Sequence, residues 1–132
     1  MPTNKSKDKK ATKLLNIEIE NLASVNAPVY VSIYGTDNKF LSLKDQLKVF
    51  RFIPTGTRLT EQLSGIPHGT YAIATFQDLN GDGKIATNIF GIPTDPYGFS
   101  NNFKPKIKAP SFDDCSFEYD DHNDTVSIKM IR

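Results

Sequence analysis

Apolar and polar residues alternate one for one in several short runs of this chain. Leu15, Ile17 and Ile19 alternate with Asn16, Glu18 and Glu20, and Val29, Val31 and Ile33 with Tyr30, Ser32 and Tyr34. A period of two puts one set of side chains on a buried face and the other in solvent, which is the signature of a half-buried strand. The pattern predicts strands over roughly 14–22, 29–34, 47–53, 57–63, 70–77, 112–119 and 125–131. Leu59 and Leu63 should share one face of their strand, and Val126, Ile128 and Met130 one face of theirs. Residues 40–46 read as a short helical turn or a loop. Turn chemistry separates the runs at Gly35–Asn38, Pro54–Gly56, Gly65–Gly69 and Asp120–Asp124, where Pro fixes one dihedral and Gly admits positive φ.

No run carries a convincing helical period. About seven short strands with turn signals predict an all-β, immunoglobulin-like or transthyretin-like sandwich of antiparallel strands. The likeness is architectural, because the Cys and Trp hallmarks of immunoglobulin domains are missing. One segment, 78–110, is rich in Gly, Asn and Pro and too long for an ordinary connection, yet its aromatic residues argue against disorder. It is therefore expected to be one long ordered loop.

The chain has 132 residues, enough for one core. Five lysines against Asp8 give residues 1–13 a charge of +4, so with a net charge of +1 the body carries −3. The division expected is a flexible basic tail, 1–13, and a sandwich domain, 14–132. A mildly acidic body excludes nucleic acid as the main partner, since phosphate neutralisation needs a basic face. No stretch approaches the ~20 apolar residues of a membrane span. The Lys-rich start is not followed by an apolar signal-peptide core, so either the protein is cytoplasmic or a signal was removed. Cys115 stands in a strand-like run with Phe112, Phe117 and Tyr119 and reads as a buried structural thiol.

The run Asp78-Leu-Asn80-Gly-Asp82-Gly83-Lys84 carries chemistry. Oxygen side chains at alternate positions, followed by glycine, form the first half of the calcium loop D-x-[DN]-x-[DN]-G. Alternate residues of a tight loop point inward, Gly83 permits the sharp turn, and the Lys84 carbonyl is a fourth oxygen. The twelfth position of such a loop is Ile89 rather than Glu, and the flanks read as strand and loop, so this is not an EF-hand. Asn88 and Asp95 are the candidates to complete the site. Oxygen-only ligands favour calcium, with the ~10⁻⁴–10⁻³ M affinity of extracellular modules. The same Asn-Gly and Asp-Gly dipeptides also make metal-free hairpin turns.

Downstream, Gly91-Ile-Pro93 and Tyr97-Gly-Phe99-Ser-Asn101 follow. With Gly69, Tyr71, Ala72, Asp78, Asn80, Gly83 and Asn88, they make the segment 69–102 resemble the bacterial family known as domain of unknown function 2141. The resemblance implies an exported protein, periplasmic or extracellular, and implies no activity. Two departures stand out: the family's Asp after the half-loop is Ala86 here, and its Glu before Tyr-Gly is Asp95. If that Asp ligates metal in relatives, this chain has lost a ligand.

Three functions are compatible with these residues. The first is a non-enzymatic exported module with a calcium loop, structural or binding in role. The second is recognition of an extracellular glycan or peptide by Tyr97, Phe99, Asn101, Asn102 and Phe103, whose rings equally suit the task of pinning the loop down. The third and least supported is a hydrolase using Asp78, Asp82 or Asp95. His68 and His122 lack a nucleophile partner, and Asp113 and Asp114, as strand neighbours, should face opposite ways. Asp120, Asp121 and Asp124 read as a solvated hairpin, with a looser cation site as the alternative.

Overall fold

A computed structural model describes residues 14–87 and 93–132. The predicted tail, 1–13, and Asn88 lie outside the described residues. The chain is all-β. Its strands are β1 (Leu15–Glu20), β2 (Val29–Gly35), β3 (Lys48–Phe52), β4 (Leu59–Leu63), β5 (Gly69–Gln77), β6 (Tyr97–Phe99), β7 (Phe117–Tyr119) and β8 (Thr125–Lys129). One sheet runs β4-β1-β8. The other runs β3-β2-β5-β6, with β7 also paired to β5.

The alternating runs pack as their period demands. Leu15, Ile17 and Ile19 of β1, Leu59 and Leu63 of β4, and Val126, Ile128 and Met130 turn inward. They meet Val29, Val31 and Ile33 of β2 and Tyr71 and Ile73 of β5 in one core. β-Branched side chains at most of these positions suit a pleated, buried surface.

Three expectations are corrected. Pairing is not antiparallel throughout: β1 and β8 run parallel, with Ile17 opposite Val126 and Ile19 opposite Ile128. The predicted strand 112–119 is broken. Its first half is a one-turn helix, Phe112–Cys115, opened by a capping box in which Ser111 accepts from the Asp114 N–H at 3.2 Å and Asp114 accepts from the Ser111 N–H at 2.9 Å. Asp113 and Asp114 are therefore helical neighbours, and Cys115, though buried, is on that turn rather than a strand. Finally, the long loop contains β6, three residues that extend the second sheet.

β5 is the longest strand, and one of its edges is shared. β7 pairs with it over Gly69–Tyr71 and β6 over Ala74–Phe76. Ser100, fully buried, fills the gap: the Ile73 N–H donates to its Oγ at 2.9 Å, and its hydroxyl donates to the Cys115 carbonyl at 2.5 Å. β6 is also pressed against β8, where a Cβ on Gly98 would lie 2.6 Å from Ile128 Cγ2. Beyond β8, Ile131 exchanges both backbone hydrogen bonds with Tyr97, so the chain's last residues tie the first sheet to β6.

The inner face of β5 ends on a buried amide. Gln77, 0% exposed, accepts from the Ala23 and Ser24 N–H groups and donates to the Ser24 and Ala27 carbonyls. One side chain thus satisfies four backbone groups of the β1–β2 connection. Gln77→Leu keeps the volume and orphans all four. It is expected to cost ~2–4 kcal/mol, with an unchanged m-value in urea denaturation.

Candidate metal-binding loop

The loop starts where β5 leaves the sheet. The Asp78 N–H donates to the Pro28 carbonyl at 2.8 Å, and the Gln77 N–H to the Pro96 carbonyl at 2.9 Å, so both ends of the loop are fixed at one place. Asp78 is 1% exposed. Its carboxylate accepts from the Gly81 N–H at 3.1 Å and the Gly83 N–H at 2.7 Å. These are charge-assisted bonds that fold the turn around the acid.

Both glycines need the backbone freedom that the motif predicts. Gly81 has φ +74° and Gly83 φ +79°, in the left-handed region where other residues are strained. Asn80 and Asp82 are exposed and locally bonded: Asn80 Nδ2 reaches Asp82 Oδ2 at 3.4 Å, and Asp82 Oδ1 accepts from the Lys84 N–H at 3.0 Å. Asp residues closing turns on their own backbone in this way are a familiar turn chemistry.

Asp95, 5% exposed, clasps the other side. Its Oδ2 accepts from the Ala86 N–H at 2.8 Å and its Oδ1 from the Leu79 N–H at 3.4 Å. The Ala86 carbonyl in turn accepts from the Thr94 N–H at 2.7 Å. Asp78, Asn80, Asp82, Lys84 and Asp95 are therefore brought into one loop. The oxygens are not gathered into a carboxylate cage: among the described residues, no three His, Cys, Asp or Glu side chains are grouped so as to hold a metal ion. The candidate donors that the structure describes are all oxygens. A carboxylate has about four lone-pair sites, and Asp78 uses two of them on the backbone.

The aromatic candidates separate. Phe99 is buried in a second, smaller cluster with Ala72 and Cys115, against which Tyr97, Phe103, Phe40 and Phe112 pack. Asn101, at φ 65°, donates to the Ser116 carbonyl at 2.8 Å, and Asn102, at φ 51°, accepts from the Lys129 N–H at 2.8 Å. These residues hold the loop on the sandwich. In the same cluster, burial and then the Asp114 charge push the Cys115 thiol up to about 12, so it carries no thiolate at neutral pH.

A row of partly exposed rings was not foreseen. Arg51, Tyr30, Phe76 and Tyr97 stand opposite one another across β3, β2, β5 and β6, on the face of the sheet that points away from the core. The Tyr30 and Phe76 rings stack with centroids 5.2 Å apart and planes 10° apart. Tyr30 and Phe76 occupy the polar phase of their strands, and an aromatic residue there was the available signal.

A family model for domain of unknown function 2141, described as an uncharacterized protein conserved in bacteria, matches residues 17–127. No curated protein and no solved structure matches the chain.

The two acids of the half-loop should differ sharply under substitution in metal-free buffer. Asp78→Ala removes two charge-assisted bonds at a buried site and is expected to cost ~2–4 kcal/mol. Asp82→Ala, at an exposed site, should cost under about 1 kcal/mol. Chemical denaturation of the two variants checks the contrast.

Proposed function

The chain belongs to this bacterial family, and we propose that it is a non-enzymatic, exported β-sandwich module whose Asp78–Lys84 loop takes up calcium. The observation that carries the proposal is the shape of the turn. Asp78 holds Gly81 and Gly83 by their N–H groups, and Gly83 takes the left-handed conformation that the calcium half-loop requires at that position. Calcium would draw on Asp78, Asn80, Asp82 and the Lys84 carbonyl, with Asn88 or Asp95 completing the set. With two formal carboxylates in the half-loop, affinity falls in the ~10⁻⁴–10⁻³ M range of extracellular modules. The role is structural or binding in the cell envelope or outside the cell.

A second reading is recognition of an extracellular glycan, and the open row of Tyr30, Phe76 and Tyr97 favours it. Flat rings bordered by Arg51 offer stacking area beside a polar group that orients a ligand. Retention of the protein on insoluble polysaccharides, lost in Tyr30→Ala, is the expected result. Equal retention of both proteins would remove this reading.

The calcium proposal is tested by melting the full-length protein in calcium and in chelator. At a Kd of ~0.3 mM, 10 mM calcium adds about 2 kcal/mol, a shift of several degrees. Magnesium should do less, because it demands tighter octahedral geometry and holds its waters. Asp82→Ala should fold normally and lose the response. Identical melting temperatures in calcium and chelator would sink the proposal.

A further inference from the structure

The most exposed large apolar side chain among the described residues is Ile107, at 97%. It stands in the run Lys104-Pro-Lys106-Ile107-Lys108-Ala-Pro110. Lys104, Lys106 and Lys108 are exposed as well, and no acidic residue lies between Asp95 and Asp113. The run is held at both ends. Before it, Asn102 accepts from the Lys129 N–H at 2.8 Å; after it, Pro110 is buried and Ser111 caps the helical turn. Asp113 and Asp114 belong to that turn, beyond the loop. Pro105 and Pro110 each fix a backbone dihedral, so the tip has less freedom to lose on binding. Lys104 also lines an apolar cavity with Phe103, Ile131 and Lys129. Glu20 stands beside Lys129 in register, so the positive charge of this surface rests on the three loop lysines.

We propose that this loop docks the protein on an anionic lipid bilayer, with Ile107 at the boundary of headgroups and acyl chains and the lysines among the headgroups. A single aliphatic side chain attaches weakly, and so does a short basic run. Together they supply the two signals, apolar insertion and attraction to anionic lipid, that hold peripheral proteins at a membrane. The charge selects the lipid, because the lysines gain little from a neutral headgroup surface. A nucleic acid would satisfy the lysines along its phosphates and leave Ile107 in water. An acidic protein would need a preformed apolar pocket for the projecting tip, whereas a fluid bilayer closes around it. The loop is separate from the Asp78–Lys84 turn, and its docking needs no calcium.

The full-length protein is sedimented in chelator with vesicles of pure phosphatidylcholine and with vesicles that also contain phosphatidylglycerol. Binding to the anionic vesicles alone is expected, weakened by added salt. A lysine near such a surface contributes about fivefold, so the double variant Lys106→Gln, Lys108→Gln should bind about 25-fold more weakly. Ile107→Ser should bind about tenfold more weakly at unchanged charge. All three positions are exposed, so the variants should melt as the wild type does. The chain has no Trp, so Ile107→Trp places a single fluorescent reporter at the tip. Its emission should shift to the blue on anionic vesicles and stay unchanged on neutral ones. Gln in place of Lys5, Lys7, Lys9, Lys10 and Lys13 separates the effect of residues 1–13 from that of the loop, and at saturating vesicles it should leave the Ile107→Trp shift intact. No shift, loss of the shift in that chain, equal binding to neutral vesicles or undiminished binding of Ile107→Ser would each overturn the proposal. The last would mark the loop as a general polyanion patch.

Discussion

The Ser100 hydroxyl is the contact on which the second sheet depends. β5 offers one long edge, and two separate strands of three residues each pair with it. Between them the Ile73 N–H would face a gap in a buried place, where an unmade hydrogen bond is expensive. Ser100 accepts that N–H and donates onward to Cys115, so β6, β5 and the helical turn ahead of β7 are joined at one atom. The neighbouring residues serve the same junction. Gly98 leaves room for Ile128, Phe99 fills the small cluster, and Asn101 and Asn102 take left-handed conformations that cap Ser116 and Lys129. The Gly-Phe-Ser-Asn run reads as an anchor for β6, and the position of β6 fixes where the acidic loop must return.

The loop uses its charges first for its own folding. Two buried carboxylates, Asp78 and Asp95, each clasp two backbone N–H groups, so no cation is needed to hold the turn together. This has a consequence for any metal that enters. The turn is already shaped, so little ordering entropy opposes binding, but the ion must share carboxylates with backbone donors. A preformed site with few uncommitted charges is a route to weak, reversible binding rather than to a metal that the fold requires.

Much of the fold was legible because it rests on the period of two. Leu15, Ile17 and Ile19, like Val29, Val31 and Ile33, are buried in the phase their alternation demands. The misreadings have local physical causes. β6 is too short to show a period, and it pairs because the junction at Ser100 holds it, a tertiary effect that no window of sequence contains. Residues 112–115 lost their helical turn to an apolar run that looks strand-like, although Ser111 followed three residues later by Asp114 is a capping-box signal that could have found it. The parallel pairing of β1 with β8 joins elements more than a hundred residues apart and leaves no mark on either strand. In the loop, alternate oxygens and glycines announced the turn at 78–84. That Asn101 and Asn102 bind backbone rather than a ligand could be known only from where β8 and the helical turn lie.

Position 86, where the family resemblance implies an Asp and this chain has Ala, shows how shape and chemistry can be encoded separately in this loop. Position 86 takes part in the clasp through its backbone alone: its N–H reaches Asp95 and its carbonyl accepts from Thr94. Neither bond depends on the side chain, so a carboxylate there can be exchanged for a methyl group without loosening the turn. The clasp does depend on the acid at 95. Its two oxygens reach N–H groups of both limbs, Leu79 on one and Ala86 on the other, and an uncharged apolar residue there would leave both unpaired in a buried site. A chain can therefore lose a potential ligand at 86 and keep the loop, whereas a change at 95 loosens the loop before any question of ligation arises. A shared loop shape among relatives is accordingly weak grounds for a shared metal affinity, and affinity has to be measured chain by chain.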